Sequence, residues 1–115
     1  MNSKDVAYLK HILEAITNIE DFSGKISSAD ELKSHPLERA GIERMLTIIG
    51  EAAKNISPDI REEFPNLPWR EITGMRDKIM HHYFGVDYEA VYETVIHDIP
   101  ELKKEITGIL KEPEE

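Results

Sequence analysis

The chain contains no cysteine, which excludes disulfides, thiolate nucleophiles and cysteine-ligated zinc. It has no uninterrupted apolar run near the roughly 20 residues that span a bilayer. Its start, Met1-Asn2-Ser3-Lys4-Asp5, lacks the basic-then-apolar layout of a secretory signal. The expectation is a cytoplasmic protein with no membrane partner. Basic residues are outnumbered, 14 Lys and Arg against 23 Asp and Glu, for a net charge of −9. That balance argues against coating nucleic acid or an anionic membrane through bulk electrostatics, while leaving room for a local basic site.

Other absences narrow the chemistry. The glycines form neither GxGxxG nor a P-loop, and no cofactor is expected. His11, His35 and His97 are isolated, and no histidine pair has the i, i+4 spacing of a helical zinc site. Adjacent His81 and His82 point to different sides, so no metal is expected either. Nothing singles out an acid/base pair among the 23 acids. Internal repeats are absent, and no stretch alternates convincingly with period two.

What is present is one domain's worth of soluble, globular chain: 115 residues, 40% hydrophobic and 32% charged. A single helical domain should occupy residues 1–110, with residues 111–115 as a fraying acidic tail. Val6, Leu9, Ile12, Leu13, Ile16 and Ile19 step by threes and fours, placing one stripe on a helix of about four turns that Ser23-Gly24 interrupts. Ser28 with Glu31 has capping-box spacing for a short helix. Pro36 suits the first position of a longer helix ending before Ser57-Pro58, with a core stripe of Leu37, Gly41, Met45, Ile48, Ala52 and Ile56. Gly41 and Ala52 would admit a close neighbour.

Between Pro58 and Pro68 a helical turn and loop are expected, anchored by Ile60, Phe64 and Leu67. Pro68 can open a helix carrying Trp69, Ile72, Met75, Ile79 and Met80, with Met45, Met75 and Met80 read as gap-filling core. Val86 and Val91 flank Asp87 as a staple around an N-cap. The last helix then carries Val91, Val95, Ile99, Leu102, Ile106 and Leu110, and Pro100 should kink or split it. The fold class is all-α: an antiparallel, up-and-down bundle of four to six helices with a kinked C-terminal helix.

The chemically informative stretch runs from Arg70 to Gly85. Residues 69–83 hold three basic and two acidic side chains, whereas residues 1–68 hold 8 and 12 and residues 84–115 hold 3 and 9. The one segment that is not acidic also carries the adjacent histidines. In a continuing helix Asp77 and His81 are i and i+4, so the carboxylate could orient the imidazole and keep it titrating near neutral pH. Arg76 and His81 would stand about 140° apart in a regular helix. They could converge on one phosphate only if the helix ends near Met80 or a second subunit supplies half the site. The same residues also read as a solvated charged face, with Tyr83 and Phe84 packed in the core.

The chain resembles the HepT-type (DUF86) members of the HEPN superfamily over nearly its whole length. The likeness begins with Asp5-Val6-Ala7-Tyr8-Leu9-Lys10-His11-Ile12-Leu13-Glu14-Ala15-Ile16 and continues through Ile48-Ile49-Gly50-Glu51-Ala52-Ala53-Lys54. It takes in Pro68-Trp69-Arg70-Glu71-Ile72-Thr73-Gly74-Met75-Arg76 and Tyr83-Phe84-Gly85-Val86-Asp87, and ends in a Thr94-containing helix. The family's R-x4-H-x-Y signature falls on Arg76, His81 and Tyr83, with His82 between the last two. Asp77 stands where the family commonly has Asn, and an acid beside the arginine would lower affinity for RNA.

The resemblance implies a toxin of a toxin–antitoxin pair: a metal-independent endoribonuclease, working as a homodimer or higher oligomer on RNA such as tRNA or mRNA. Two copies of the motif would line one cleft. Arg76 would stabilise charge on the phosphoryl group and His81 would act as general base or acid, with Asp77 and His82 supporting. Tyr83 would accept AMP from ATP, transferred by a minimal nucleotidyltransferase antitoxin, and the added phosphodiester charge would neutralise the cationic site. The competing reading is a non-catalytic subunit that binds nucleotide or substrate for such a nucleotidyltransferase; a purely structural oligomerisation module is a third.

Overall fold

A computed structural model describes residues 1–75, 77, 80, 81 and 85–111, and of Met80, His81 and Val86 the backbone only. Helix α1 spans Ser3–Ser23, opened by Asn2, whose side chain accepts the Asp5 amide at 2.8 Å. Leu9, Ile12, Ile16 and Ile19 are fully buried, as their spacing predicts. Val6 and Leu13 lie at the margin of the stripe, half-buried, and Ala15 is buried instead. At 21 residues the helix outruns its apolar series, because charged turns extend it at both ends.

Helix α2 is Ala29–Ser34 and has the expected cap: Ser28 Oγ accepts the Glu31 amide at 3.1 Å. The Glu31 carboxylate reaches back to the amide of Ser27 at 2.8 Å, one residue before the usual partner. Hydrogen bonding from Ser27, its backbone N–H first, holds the Glu31 carboxyl below its ordinary range. Helix α3 is Pro36–Lys54, with Pro36 in its first turn as expected. The stripe read in the sequence holds at Ala52 and at Ile56 just beyond the helix, both buried, and is displaced before them. Leu37 is 77% exposed, and Met45 and Ile48 are half-buried, whereas Ile42, Leu46, Ile49 and Ala53 are inside. The two stripes are adjacent on one helix, and the position of α1 decides between them.

α1 and α3 run antiparallel. Phe22 at the end of α1 lies over Gly41 near the start of α3, while Asp5 at the start of α1 reaches Ser57 beyond the end of α3. A Cβ on Gly41 would stand 2.5–2.7 Å from the Phe22 ring, so the close approach expected there is made by that ring. Helix α4, Pro58–Glu63, and the loop after it anchor through Ile60 and Leu67, with Phe64 half-buried, in line with expectation.

Helix α5 covers only Trp69–Thr73 and ends at Gly74. The chain is helical again at Met75 and Asp77, then extended in strand β1, Met80–His81, which pairs antiparallel with β2, Gly85–Val86. The expected helix through Met80 is therefore replaced by a short hairpin. Gly85 permits it with φ of 82°, a left-handed value that a side chain would resist. These strands are too short for an alternating pattern to register.

Asp87 caps helix α6, Tyr88–Glu93, by accepting the Ala90 amide at 3.0 Å. The Val86 half of the expected staple lies outside the described residues. A π-helical turn, Thr94–Asp98, follows and leads into α7, Ile99–Lys111. Pro100 splits the helix as expected, and the manner is specific. Proline has no N–H and crowds the carbonyl four residues back, and the widened turn, with Ile99 N–H donating to the Thr94 carbonyl, absorbs that conflict. Val91, Thr94, Ile99, Leu102, Ile106 and Ile109 face inward, with Val95 and Leu110 half-buried. α7 runs antiparallel to α1, tied by Lys103 to Glu20 at 3.0 Å. The result is an all-α bundle, 49 × 28 × 20 Å, with one small hairpin. None of its described helices is long and apolar enough to cross a membrane.

Candidate active site

The segment carrying the motif is pinned at both ends. On the entering side Trp69 is buried and donates its indole N–H to the Phe64 carbonyl at 2.9 Å. Ile72 and Met75 insert into the core. Gly50 of α3 lets α5 settle against it, since an added Cβ would stand only 3.3 Å from the carbonyl oxygens of Ile72 and Thr73. An open cavity of about 300 Å³ lies along this contact, lined by Thr47, Gly50, Glu51, Lys54 and Thr73.

On the leaving side the hairpin delivers the chain to Asp87 and then to Tyr88, which is clamped. Arg39 of α3 donates to the Tyr88 hydroxyl at 3.0 Å, and its guanidinium lies 5.3 Å from the ring centroid. Lys33 of α2 approaches the same ring at 6.0 Å. Cations over a tyrosine face are held by the ring quadrupole. Glu43, one turn beyond Arg39, sits 3.8 Å from it. Burial pushes the Glu43 carboxyl above its ordinary range, only partly opposed by the Arg39 charge.

Of the motif residues, Arg76, His82 and Tyr83 lie outside the described residues, as does the His81 side chain. The backbone of His81 is extended and pairs with Gly85. Asp77 is exposed and helical. The i, i+4 helical relation expected for Asp77 and His81 therefore does not hold, because the helix has ended before His81. The same ending meets one of the two conditions under which Arg76 and His81 could share a phosphate.

Arg39, Glu43, Gly50 and Tyr88 all position this segment, and the sequence reading gave them no such role. The Arg39–Tyr88 bond joins residues 49 positions apart, which no local pattern encodes. For Gly50 a signal existed, a glycine inside a strongly periodic helix.

The family description "Ribonuclease HepT-like" matches residues 12–109. A protein of Methanocaldococcus jannaschii named "Putative RNase" is 43% identical over 115 residues, covering 99% of this chain and 94% of its own. Another of that name, from Caldanaerobacter subterraneus subsp. tengcongensis, is 45% identical over 104 residues, 90% of this chain and 92% of its own. A "Probable ribonuclease HepT" of Thermococcus cleftensis is 46% identical over 104 residues, 90% of this chain and 94% of its own. No solved structure matches the chain.

Proposed function

The chain belongs to the HepT-like ribonuclease family, and we propose that it is a metal-independent endoribonuclease acting through Arg76 and His81. The observation that carries the reading is the end of the helix before His81. An extended backbone at Met80–His81 removes the separation of about 140° that a regular helix would impose on the pair.

His81 takes the proton of a ribose 2′-OH, and the freed oxygen attacks the adjacent phosphorus. The bond to the 5′-oxygen of the next nucleotide breaks, that oxygen receives a proton, and a 2′,3′-cyclic phosphate remains. Arg76 stabilises the charge that builds on the phosphoryl oxygens, a task suited to a guanidinium fork. The substrate must be RNA, because DNA lacks the nucleophile. Two copies of the chain form one cleft, with Asp77 and His82 in support. The protein is the toxin of a pair whose nucleotidyltransferase antitoxin transfers AMP to Tyr83. The Tyr83 oxygen attacks the α-phosphorus of ATP, pyrophosphate leaves, and the new phosphodiester places negative charge beside Arg76.

The test is incubation of unmodified protein with labelled cellular tRNA in EDTA, beside His81→Ala and Arg76→Ala variants. Cleavage by the parent alone, with all three proteins folded alike by circular dichroism, is the expected result. Equal cleavage by parent and variants, or none by a folded parent dimer, overturns it, the second outcome favouring the non-catalytic binding subunit.

A further inference from the structure

A groove of about 300 Å³ runs between α5 and α7. Its floor is apolar, formed by Leu67, Ile72, Met75 and Leu102. Its rim is acidic: Glu71 comes from α5, and Glu101 and Glu105 come from successive turns of α7. None of its described lining residues is Lys or Arg. Among the described residues none of these three glutamates has an ion-pair partner.

The arrangement has a cost. Glu101 and Glu105 are i, i+4 on one helix, a like-charge spacing that destabilises. Glu71 adds a third carboxylate to the same opening. Cations placed over the rim would relieve that repulsion while apolar groups filled the floor. We propose that this groove docks a basic amphipathic helix of a partner polypeptide, apolar side chains inward and Lys or Arg outward over Glu71, Glu101 and Glu105. A helix laid in a groove presents such anchors at i, i+3, i+4 and i+7. RNA does not fit the site, since its phosphates would face carboxylates. Nor does the same face of a second copy, which carries the same charge. The proposal does not depend on the cleavage chemistry.

The probe is a fluorescein-labelled helical peptide of about 15 residues, long enough to form a helix, with Leu on one face and Lys on the other. Its binding to the full chain is measured by anisotropy, and its location by amide chemical-shift mapping. Binding should perturb Ile72, Met75 and Leu102, weaken steeply with salt, and fall about tenfold or more in the Glu101→Lys/Glu105→Lys double variant. A control, Glu62→Lys/Glu63→Lys, makes the same change in net charge on α4 and should bind like the parent. Equal losses in the two double variants would mean bulk charge alone and overturn the proposal. So would shifts mapping elsewhere, an absence of binding, or binding of spermidine at the groove with none of the peptide.

Discussion

The carboxylate of Asp5 holds Ser57 by two groups at once, accepting its backbone N–H at 2.9 Å and its hydroxyl at 2.7 Å. The residues are 52 positions apart, and Asp5 is only 2% exposed. The contact fastens the first turn of α1 to the junction between α3 and α4. It also explains why Ser57, standing at an N-cap position, makes no side-chain cap to its own helix. Its hydroxyl is already committed to Asp5.

Replacing Asp5 with Ala should therefore destabilise the bundle by about 2–3 kcal/mol, because a half-buried amide and hydroxyl lose a carboxylate acceptor together. Ser57→Ala removes only the hydroxyl contact and should cost about half as much. Urea unfolding of both variants measures this. Equal and negligible losses would show that the pair is not held in solution.

Gly50→Ala sets a local gain against a tertiary loss. Alanine favours a helix interior over glycine by about 1 kcal/mol. Its Cβ, however, would stand 3.3 Å from two carbonyl oxygens of α5, which are backbone and yield less readily than a side chain. The expected outcome is net destabilisation, larger still for Gly50→Val, with reduced RNA cleavage because α5 leads into Met75 and Arg76. A melting temperature at or above that of the parent for Gly50→Ala would refute the tight contact.

What the sequence revealed follows the range of the forces involved. The caps at Ser28 and Asp87 and the start at Pro36 were readable because each is settled within about one turn. The face of α3 was misread because Leu37, Gly41 and Met45 offer one apolar path and Ile42, Leu46 and Ile49 the next. Only the packing of α1 selects the second. The hairpin escaped because two-residue strands carry no period, leaving Gly85 as its sole trace. In the proposed site, Arg76, His81 and Tyr83 stand out through the R-x4-H-x-Y signature of the family that the chain resembles. The Arg39–Tyr88 clamp that fixes the segment is a long-range contact and left no such mark.

Glu43 supplies a pH signature. Its carboxyl is raised above the ordinary 4.5 chiefly by burial, so the folded chain holds this proton more tightly than the unfolded chain. The stabilisation it brings is complete below the unfolded value and disappears as pH rises through the folded one. Glu43→Gln keeps the shape without the charge. Relative to that variant the parent should lose stability from about pH 4.5 upward, then run parallel to it once ionised. Denaturation midpoints of both proteins across acidic to neutral pH test this. A parent that gained stability relative to the variant as pH rose would reverse the assignment.

Tyr83 separates modification from cleavage. If it is the AMP acceptor rather than a participant in the reaction, Tyr83→Phe should fold, cut RNA in the same assay and gain no mass with ATP and the nucleotidyltransferase. The parent in the same mixture should gain one or more AMP groups and lose cleavage. Loss of cleavage by unmodified Tyr83→Phe would place the phenol in the reaction itself. Mass gain by the variant would move the acceptor elsewhere.

Thr94 presents the opposite case, a polar group inside with nothing to bond. It is fully buried in the π-helical turn, and its hydroxyl has no hydrogen-bond partner among the described residues. A threonine in a regular helix can return its hydroxyl to a carbonyl one turn back, and that bond is not made here. Thr94→Val retains the branched shape and removes the unsatisfied oxygen, so it should stabilise the fold by about 1 kcal/mol. Thr94→Ala removes the oxygen too but opens a small void beside Val91, so it should gain less or lose. If Thr94→Val proves the less stable protein by a comparable amount, the hydroxyl has a partner in solution, with a buried water or a second copy of the chain as the candidates to seek.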